Sequence, residues 1–337
     1  MKSKINIREY GMYIALIVIM VVFTIMTDGL FMSSRNISNM LDATGYIAVL
    51  AVGMTLVIVI RHIDLSVGFA AGFLGAIAAI LLSQAGVPVY LTVPIILVLG
   101  IVVGMFNGVL VASVGIPAFV SSLAGMLIFR GALLQVTEKT GTIIVSDKYF
   151  NALGNGYIPE IANVGGLNLL SLILGLLAIL VYIYFEFSKR NNKLKYQFEV
   201  VSKSIFTLKL VFVSAIIAYI TWIIAGYNGF SWTVIIMLAV VIIYHFLTTK
   251  TVLGRHIYAV GSNPEAAHLS GINVKKITYI VFGSMGLLSA LSGILYTARL
   301  QSATTTAGTL FELDAIAAAY VGGVSAAGGV GKVTGSI

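Results

Sequence analysis

Residues 89–113 read VYLTVPIILVLGIVVGMFNGVLVAS, 25 residues without a single charge. As an α-helix this run would extend about 37 Å at ~1.5 Å per residue, enough to cross a hydrocarbon core of about 30 Å. In lipid, a helix is the only open structure that satisfies its own backbone groups, so a run of this length reads as a membrane span. Working outward from it, comparable runs bounded by polar, Gly or Pro residues lie near 10–27, 43–60, 67–84, 118–136, 166–187, 210–226, 232–248, 278–298 and 313–337. The expected fold is all-α: one polytopic integral membrane domain over 1–337, with about ten transmembrane helices.

Composition points the same way. The chain is 59% hydrophobic and 9% charged, with a mean hydropathy of +1.04; soluble domains carry about 25% charged residues. A soluble globule and a disordered chain are both excluded. The absence of Cys rules out disulfides and thiolate metal sites, and four scattered His suggest no metal centre. The net charge of +8 sits between apolar runs, so it reports topology rather than nucleic-acid binding. No small-residue cleavage site follows the first run, which therefore reads as a retained span.

Lys2, Lys4 and Arg8 precede the first span and place the N-terminus in the cytoplasm. Six spans later the cytoplasmic segment 188–209 carries Lys189, Arg190, Lys193, Lys195, Lys203 and Lys209, and after two more the loop 249–277 carries Lys250, Arg255, Lys275 and Lys276. The opposite loop 137–165 has only Lys139 and Lys148 against Glu138, Asp147 and Glu160, with Gly154, Gly156 and Pro159 marking it as irregular. The chain ends in Gly328-Gly329-Val330-Gly331-Lys332-Val333-Thr334-Gly335-Ser336-Ile337, a glycine-rich apolar run that reads as a truncated C-terminus.

Within 249–277, Asn263 is placed to cap a helix that has Pro264 at its first position and Gly271 at its end. Glu265 falls in the first turn, where the helix dipole favours a carboxylate, and Ala266-Ala267 permit close approach by another surface. Two readings stand: a well-capped connecting helix of two turns, or a rigid knob that takes force from a cytoplasmic partner.

Glu265-Ala266-Ala267 followed by three residues and Gly271 resembles the EAA loop of ABC-importer permeases. Three other stretches are similar to the ribose/xylose-type sugar permeases: Ile63-Asp64-Leu65-Ser66-Val67-Gly68, Asn107-Gly108-Val109-Leu110-Val111-Ala112 leading to Ile116-Pro117-Ala118-Phe119, and Phe129-Arg130-Gly131. Arg61-His62-Ile63-Asp64, Leu313-Asp314-Ala315-Ile316-Ala317 and the extra hairpin between 188 and 249 resemble the branch serving xylose and multiple monosaccharides. The Leu-Pro that follows the EAA loop in many other importers is absent here, and relatives continue through a further membrane segment after the position of Ile337.

The resemblance implies a permease subunit of a bacterial ABC importer for monosaccharides of the xylose, arabinose, galactose and glucose class, in the cytoplasmic membrane. Its implied partners are two copies of an ATPase subunit, which use ATP and Mg, a second permease copy and an extracytoplasmic sugar-binding protein. This chain would bind no cofactor itself. Pro264, Glu265, Ala266, Ala267 and Gly271 would form the ATPase-coupling element. The alternative is a stand-alone proton-coupled secondary transporter, for which Asp64 is the candidate carboxylate.

Asp64, Ser66, Asn107 and Arg130 are candidates for the translocation path. For Asp64 and Ser66 the readings are capping of the helix starting at Val67 near the inner face, substrate contact, or proton relay. For Arg130 the readings are snorkelling, pairing with a carboxylate or packing, and lining the passage. Asn107 lies in a Gly100, Gly104, Gly108 stripe suited to close helix packing, and its amide could also bond sugar hydroxyls. The stretch 301–308, QSATTTAG, with Glu312 and Asp314 after it, falls on the outer side and suits a sugar or its binding protein, or is a plain polar loop. Trp222 and Trp232 flank an outer turn as an interfacial belt. Gly331-Lys332 is followed by Val333, so a P-loop fails, and no catalytic constellation is present; the chain is not expected to be an enzyme.

Overall fold

The computed structural model describes residues 7–138 and 141–337. Lys2, Lys4 and Lys139, which enter the charge count above, lie outside the described residues. In chain order the elements are α1 (Ile7–Met26), α2 (Ser34–Val59), α3 (Val67–Ser83), α4 (Val89–Val109, continued by a π-helical turn Leu110–Val114), α5 (Ala118–Thr137), β1 (Thr142–Ile144), α6 (Lys148–Asn155), β2 (Asn163–Val164), β3 (Leu167–Asn168), α7 (Leu169–Lys195), α8 (Lys203–Ala225), α9 (Trp232–Lys250), α10 (Val252–Ser262), α11 (Pro264–Leu269), α12 (Val274–Leu300), β4 (Ser302–Thr304) and α13 (Phe311–Val321).

Seven of these, α2, α4, α5, α7, α8, α9 and α12, are long and apolar enough to cross a membrane. α1 has 20 residues, and the apolar α3 has 17. These nine helices match nine of the ten expected spans. The tenth, 313–337, is corrected. α13 stops after 11 residues at Val321, because Gly322-Gly323 and then Gly328-Gly329 break the helix, three of the four at positive φ; only a short 3₁₀ turn, Val333–Gly335, follows.

The charged segment 188–209 is mostly helical rather than loop, since α7 runs on to Lys195 and α8 begins at Lys203, where Ser202 caps it. The outer loop 137–165 also contains structure. Asp147 accepts the Tyr149 and Phe150 N–H groups and caps α6, and β1 pairs antiparallel with β4, Ile143 facing Ala303. Gly165-Gly166, both at positive φ, close the β2–β3 hairpin.

The chain divides into two units, residues 1–41 with 157–231, and 42–156 with 232–337. In the first, α7 and α8 pack so closely that a side chain on Gly175 would overlap Thr221. Their other faces leave Leu176, Leu180, Leu208 and Phe212 exposed, as lipid-facing residues are.

In the second unit, α12 is the hub, packed on α3 and α4. A Cβ on Gly104 would strike the Phe282 carbonyl, one on Gly286 the Gly100 carbonyl, and one on Gly293 the Ala71 carbonyl. Backbone-to-backbone approach of this kind is how helices associate in lipid, where apolar burial gives no preference for protein over acyl chain. Gly100 and Gly104 thus do the packing expected of the stripe. Residues 49–59 of α2 are all buried.

Candidate functional site

Two features of the second unit are the candidates for a functional site: the α10–α11 pair and the break between α2 and α3. Asn263 Oδ1 accepts the N–H groups of Glu265 and Ala266, each at 3.0 Å, and Pro264 takes the first helical position. Gly271, at φ 84°, ends the turn, and the Ile272 N–H returns to the Ala267 carbonyl at 3.0 Å. Both helix ends are therefore closed. Ala267 is buried, while Glu265, Ala266, His268 and Gly271 are exposed. Leu269 is 87% exposed at the tip, beside an open groove of about 910 Å³ bordered by Glu265, His268, Ile272 and Lys275.

The preceding helix, α10, was not anticipated. Its signals were Thr251, whose hydroxyl accepts the Gly254 N–H at 3.2 Å, and an apolar face on which Ile257 and Val260 are buried. Gly261 lies directly against the Val59 carbonyl, with no room for a Cβ. Arg61 Nε donates to the Gly261 carbonyl at 2.7 Å, and a terminal guanidinium nitrogen donates to the Ser262 carbonyl. Tyr258 donates its hydroxyl to the Gly331 carbonyl at 2.6 Å; burial pushes this phenol's pKa up, so it remains a donor. The Gly329 N–H reaches the Val59 carbonyl at 2.8 Å. α10 is thereby tied to the end of α2 and to the glycine-rich segment after α13.

Three residues beyond Arg61, Asp64 is 2% exposed, Ser66 2% and Asn107 1%. Asp64 Oδ1 accepts from the Ser66 N–H at 2.9 Å and from the Ser66 hydroxyl at 2.6 Å, and Asn107 Nδ2 donates to Ser66 Oγ at 2.8 Å. Gly125 of α5 closes the site, since a Cβ there would press on Asn107 Oδ1 and on Ser66. Asn107 Oδ1 itself is buried without a partner among the described residues.

Neither side chain caps α3: Ser66 holds the cap position without a cap bond, and Asp64 accepts from Ser66 in a turn ahead of the helix, while Ser66 links the carboxylate to α4. Nor does Asp64 sit at an open surface. α3 spans only about 25 Å at ~1.5 Å per residue, short of the hydrocarbon core, and its Asp64 end is the enclosed one while Ser83 is exposed.

Arg130 does not join this group. It is exposed, and its guanidinium lies 5.5 Å from the centroid of the Phe69 ring, a cation–π contact. Among the described residues it pairs with no carboxylate, the ion pairs being those of Glu186 with Lys189 and Lys209. Glu312 also departs from expectation. It is 6% exposed and lies against Gly68, its Oε2 without a partner among the described residues, because the chain after β4 folds back along α3, Ala307 on Gly72 and Gly308 on Gly68. Gln301, Thr306, Thr309, Leu310, Leu313 and Asp314 remain exposed there.

Comparison with known proteins agrees with this architecture. Residues 36–337 match the family model described as the branched-chain amino acid transport system / permease component. The chain is 39% identical over 335 residues to the xylose transport system permease protein XylH of Haemophilus influenzae, covering 99% of this chain and 87% of that one. It is 37% identical to XylH of Escherichia coli K12 over 99% of this chain and 83% of the relative. It is 34% identical over 332 residues to the ribose import permease protein RbsC of Haemophilus influenzae, covering 98% and 81%. No solved structure gives a significant match. With nine long helices, a capped helix pair and a family match across nearly its whole length, the chain belongs to the branched-chain amino acid transport system / permease component family, and it is a multi-pass membrane permease rather than an enzyme.

Proposed function

We propose that the chain is the membrane-spanning subunit of a bacterial ABC importer for monosaccharides, with xylose the first sugar to test, and that a separate ATPase subunit docks on α11. The observation that carries this reading is the capped α11 with Leu269 bare at its tip. A helix closed at both ends, with an exposed leucine beside a wide groove, suits a partner surface better than it suits solvent. The xylose and ribose permeases among the relatives support the sugar class.

In this reading Pro264, Glu265, Ala266, Ala267 and Gly271 form the coupling element. Two ATPase subunits consume ATP and Mg, a second permease copy completes the pathway, and an extracytoplasmic binding protein delivers the sugar. The N-terminus and the α10–α11 pair face the cytoplasm. Movement of α11 passes to α10, then through the Gly261 and Ser262 carbonyls to Arg61, and on to the Asp64 break that meets α4 at Asn107. Switching between outward- and inward-facing states then requires the ATPase to contact α11 differently in each. Asp64, Ser66 and Asn107 are proposed to sit beside the path as its polar seam.

The test is uptake of labelled xylose by cells carrying the permease with its transport partners, together with co-purification of the ATPase. Glu265→Arg is expected to abolish uptake and ATPase recovery while membrane insertion is unchanged. Gly271→Leu, which forces a side chain into φ 84°, should do the same. Wild-type uptake by a well-inserted Glu265→Arg protein overturns the coupling role. Sugar uptake by the purified chain alone, driven by a proton gradient without nucleotide, would establish the secondary-transporter alternative.

A further inference from the structure

We propose that the cleft between the C-terminal end of α7 and the N-terminal end of α8 binds the headgroup of an anionic phospholipid. The cleft measures about 470 Å³ and is lined by Lys189, Arg190, Lys193 and Lys209, with Glu186 and Glu199 the carboxylates that face it. Glu186 is already engaged, accepting from Lys209 at 2.6 Å and from Lys189 at 3.5 Å. Arg190 is held in place, donating to the Val201 carbonyl at 2.8 Å, with its guanidinium 4.7 Å from the Phe206 ring centroid. Residues 186–209 carry Lys189, Arg190, Lys193, Lys195, Lys203 and Lys209 against Glu186 and Glu199. Positive charge therefore exceeds what the carboxylates neutralise, around a cleft with room for a phosphate group.

The surroundings identify the anion as a lipid. Ile205, on the cleft wall, is 59% exposed and Val201 56%, while Leu208 and Phe212 continue along α8 as bare apolar surface. Tyr184 and Tyr196, 69% and 68% exposed, flank the cleft on α7 and just beyond it, where aromatic residues mark the membrane–water boundary. A phosphodiester among the cations would lay its acyl chains along Val201, Ile205 and Leu208. A soluble phosphate would leave those side chains bare. Basic pockets between helix ends at a membrane surface take anionic headgroups by this combination of charge and adjoining apolar wall.

The experiment is native mass spectrometry of the full-length permease released from detergent. It is titrated with phosphatidylglycerol, with phosphatidylcholine of the same acyl chains, and with glycerol phosphate. Phosphatidylglycerol is expected to be retained at least tenfold better than phosphatidylcholine. Each lysine near a charged surface contributes about fivefold, so the double variant Lys189→Gln with Lys193→Gln should lose about 25-fold, whereas Lys250→Gln, which lines no part of the cleft, should lose none. Equal retention of the two lipids, or undiminished binding by the double variant, overturns the proposal. Glycerol phosphate bound as tightly as phosphatidylglycerol overturns the lipid identity. Should the double variant fail to insert, the wild-type preference must still weaken steeply as NaCl is raised; a salt-independent preference is contrary to the proposal.

Discussion

Arg61 Nε donates to the carbonyl oxygen of Gly261 at 2.7 Å, across 200 residues of chain. The acceptor lies in the last turn of α10, where carbonyls have no partner within the helix and carry partial negative charge. A guanidinium there binds two of them at once and fixes α10 to the end of α2. Arg61→Ala removes two charge-assisted bonds, each contributing about 1.5–3 kcal/mol. The expected outcome is normal insertion, retained ATPase on purification, and uptake lowered tenfold or more. Arg61→Lys, which lacks the fork, should fall between. Wild-type uptake by Arg61→Ala would remove this contact from the coupling route.

Asp64 separates a structural role from a proton relay. Its Oδ1 accepts both Ser66 bonds, and an asparagine carbonyl can accept them too. Asp64→Asn is expected to keep at least half of wild-type uptake with unchanged pH dependence. Asp64→Ala strands the Ser66 N–H and should cost about 1–2 kcal/mol in thermal denaturation. Complete loss of uptake in a stable Asp64→Asn protein would count for proton coupling.

Gly104 tests the helix contact. A leucine there meets the Phe282 carbonyl and the Gly286 backbone, and overpacking of a rigid interface costs about 1–3 kcal/mol or more. Gly104→Leu should lower the denaturation midpoint in detergent and broaden the elution profile. Gly131→Ala, with nothing within 4 Å of the added carbon, should leave both as they are. Equal behaviour of the two variants would mean that α4 and α12 do not approach as described.

Leu269→Asp addresses the docking surface without disturbing the fold, because the side chain is 87% exposed. Stability is expected to change by less than about 0.5 kcal/mol, while recovery of the ATPase falls at least tenfold. Undiminished recovery would place the partner elsewhere.

Much of this was legible in the amino-acid sequence wherever one physical signal dominated. Long uncharged runs marked nine helices, since lipid allows the backbone little else, and Asn263-Pro264 with Gly271 marked α11 because capping chemistry is local. What escaped depended on distant partners. α10, with 11 residues, is too short to register as a span, and its anchoring depends on Arg61, 200 residues earlier in the chain. For Arg130 the sequence leaves pairing, packing and passage lining open, and only the fold shows the Phe69 ring beside it. Glu312 reads as an exposed loop residue until the chain after β4 is seen to lie along α3. The run 313–337 is apolar enough for a span, but apolarity alone does not maintain a helix across paired glycines.

The contacts of α12 with α3 and α4 are made by backbone on backbone, at Gly104, Gly286 and Gly293. At these three positions the backbones approach too closely to admit a Cβ, so one helix cannot slide along the other there without separating from it. In the proposed importer these three helices would move together, with alternation between two access states taken up at their borders. The non-helical stretch 60–66 and the Lys250–Val252 corner are the joints available for it, which makes them the positions where a spectroscopic distance label would record the stroke.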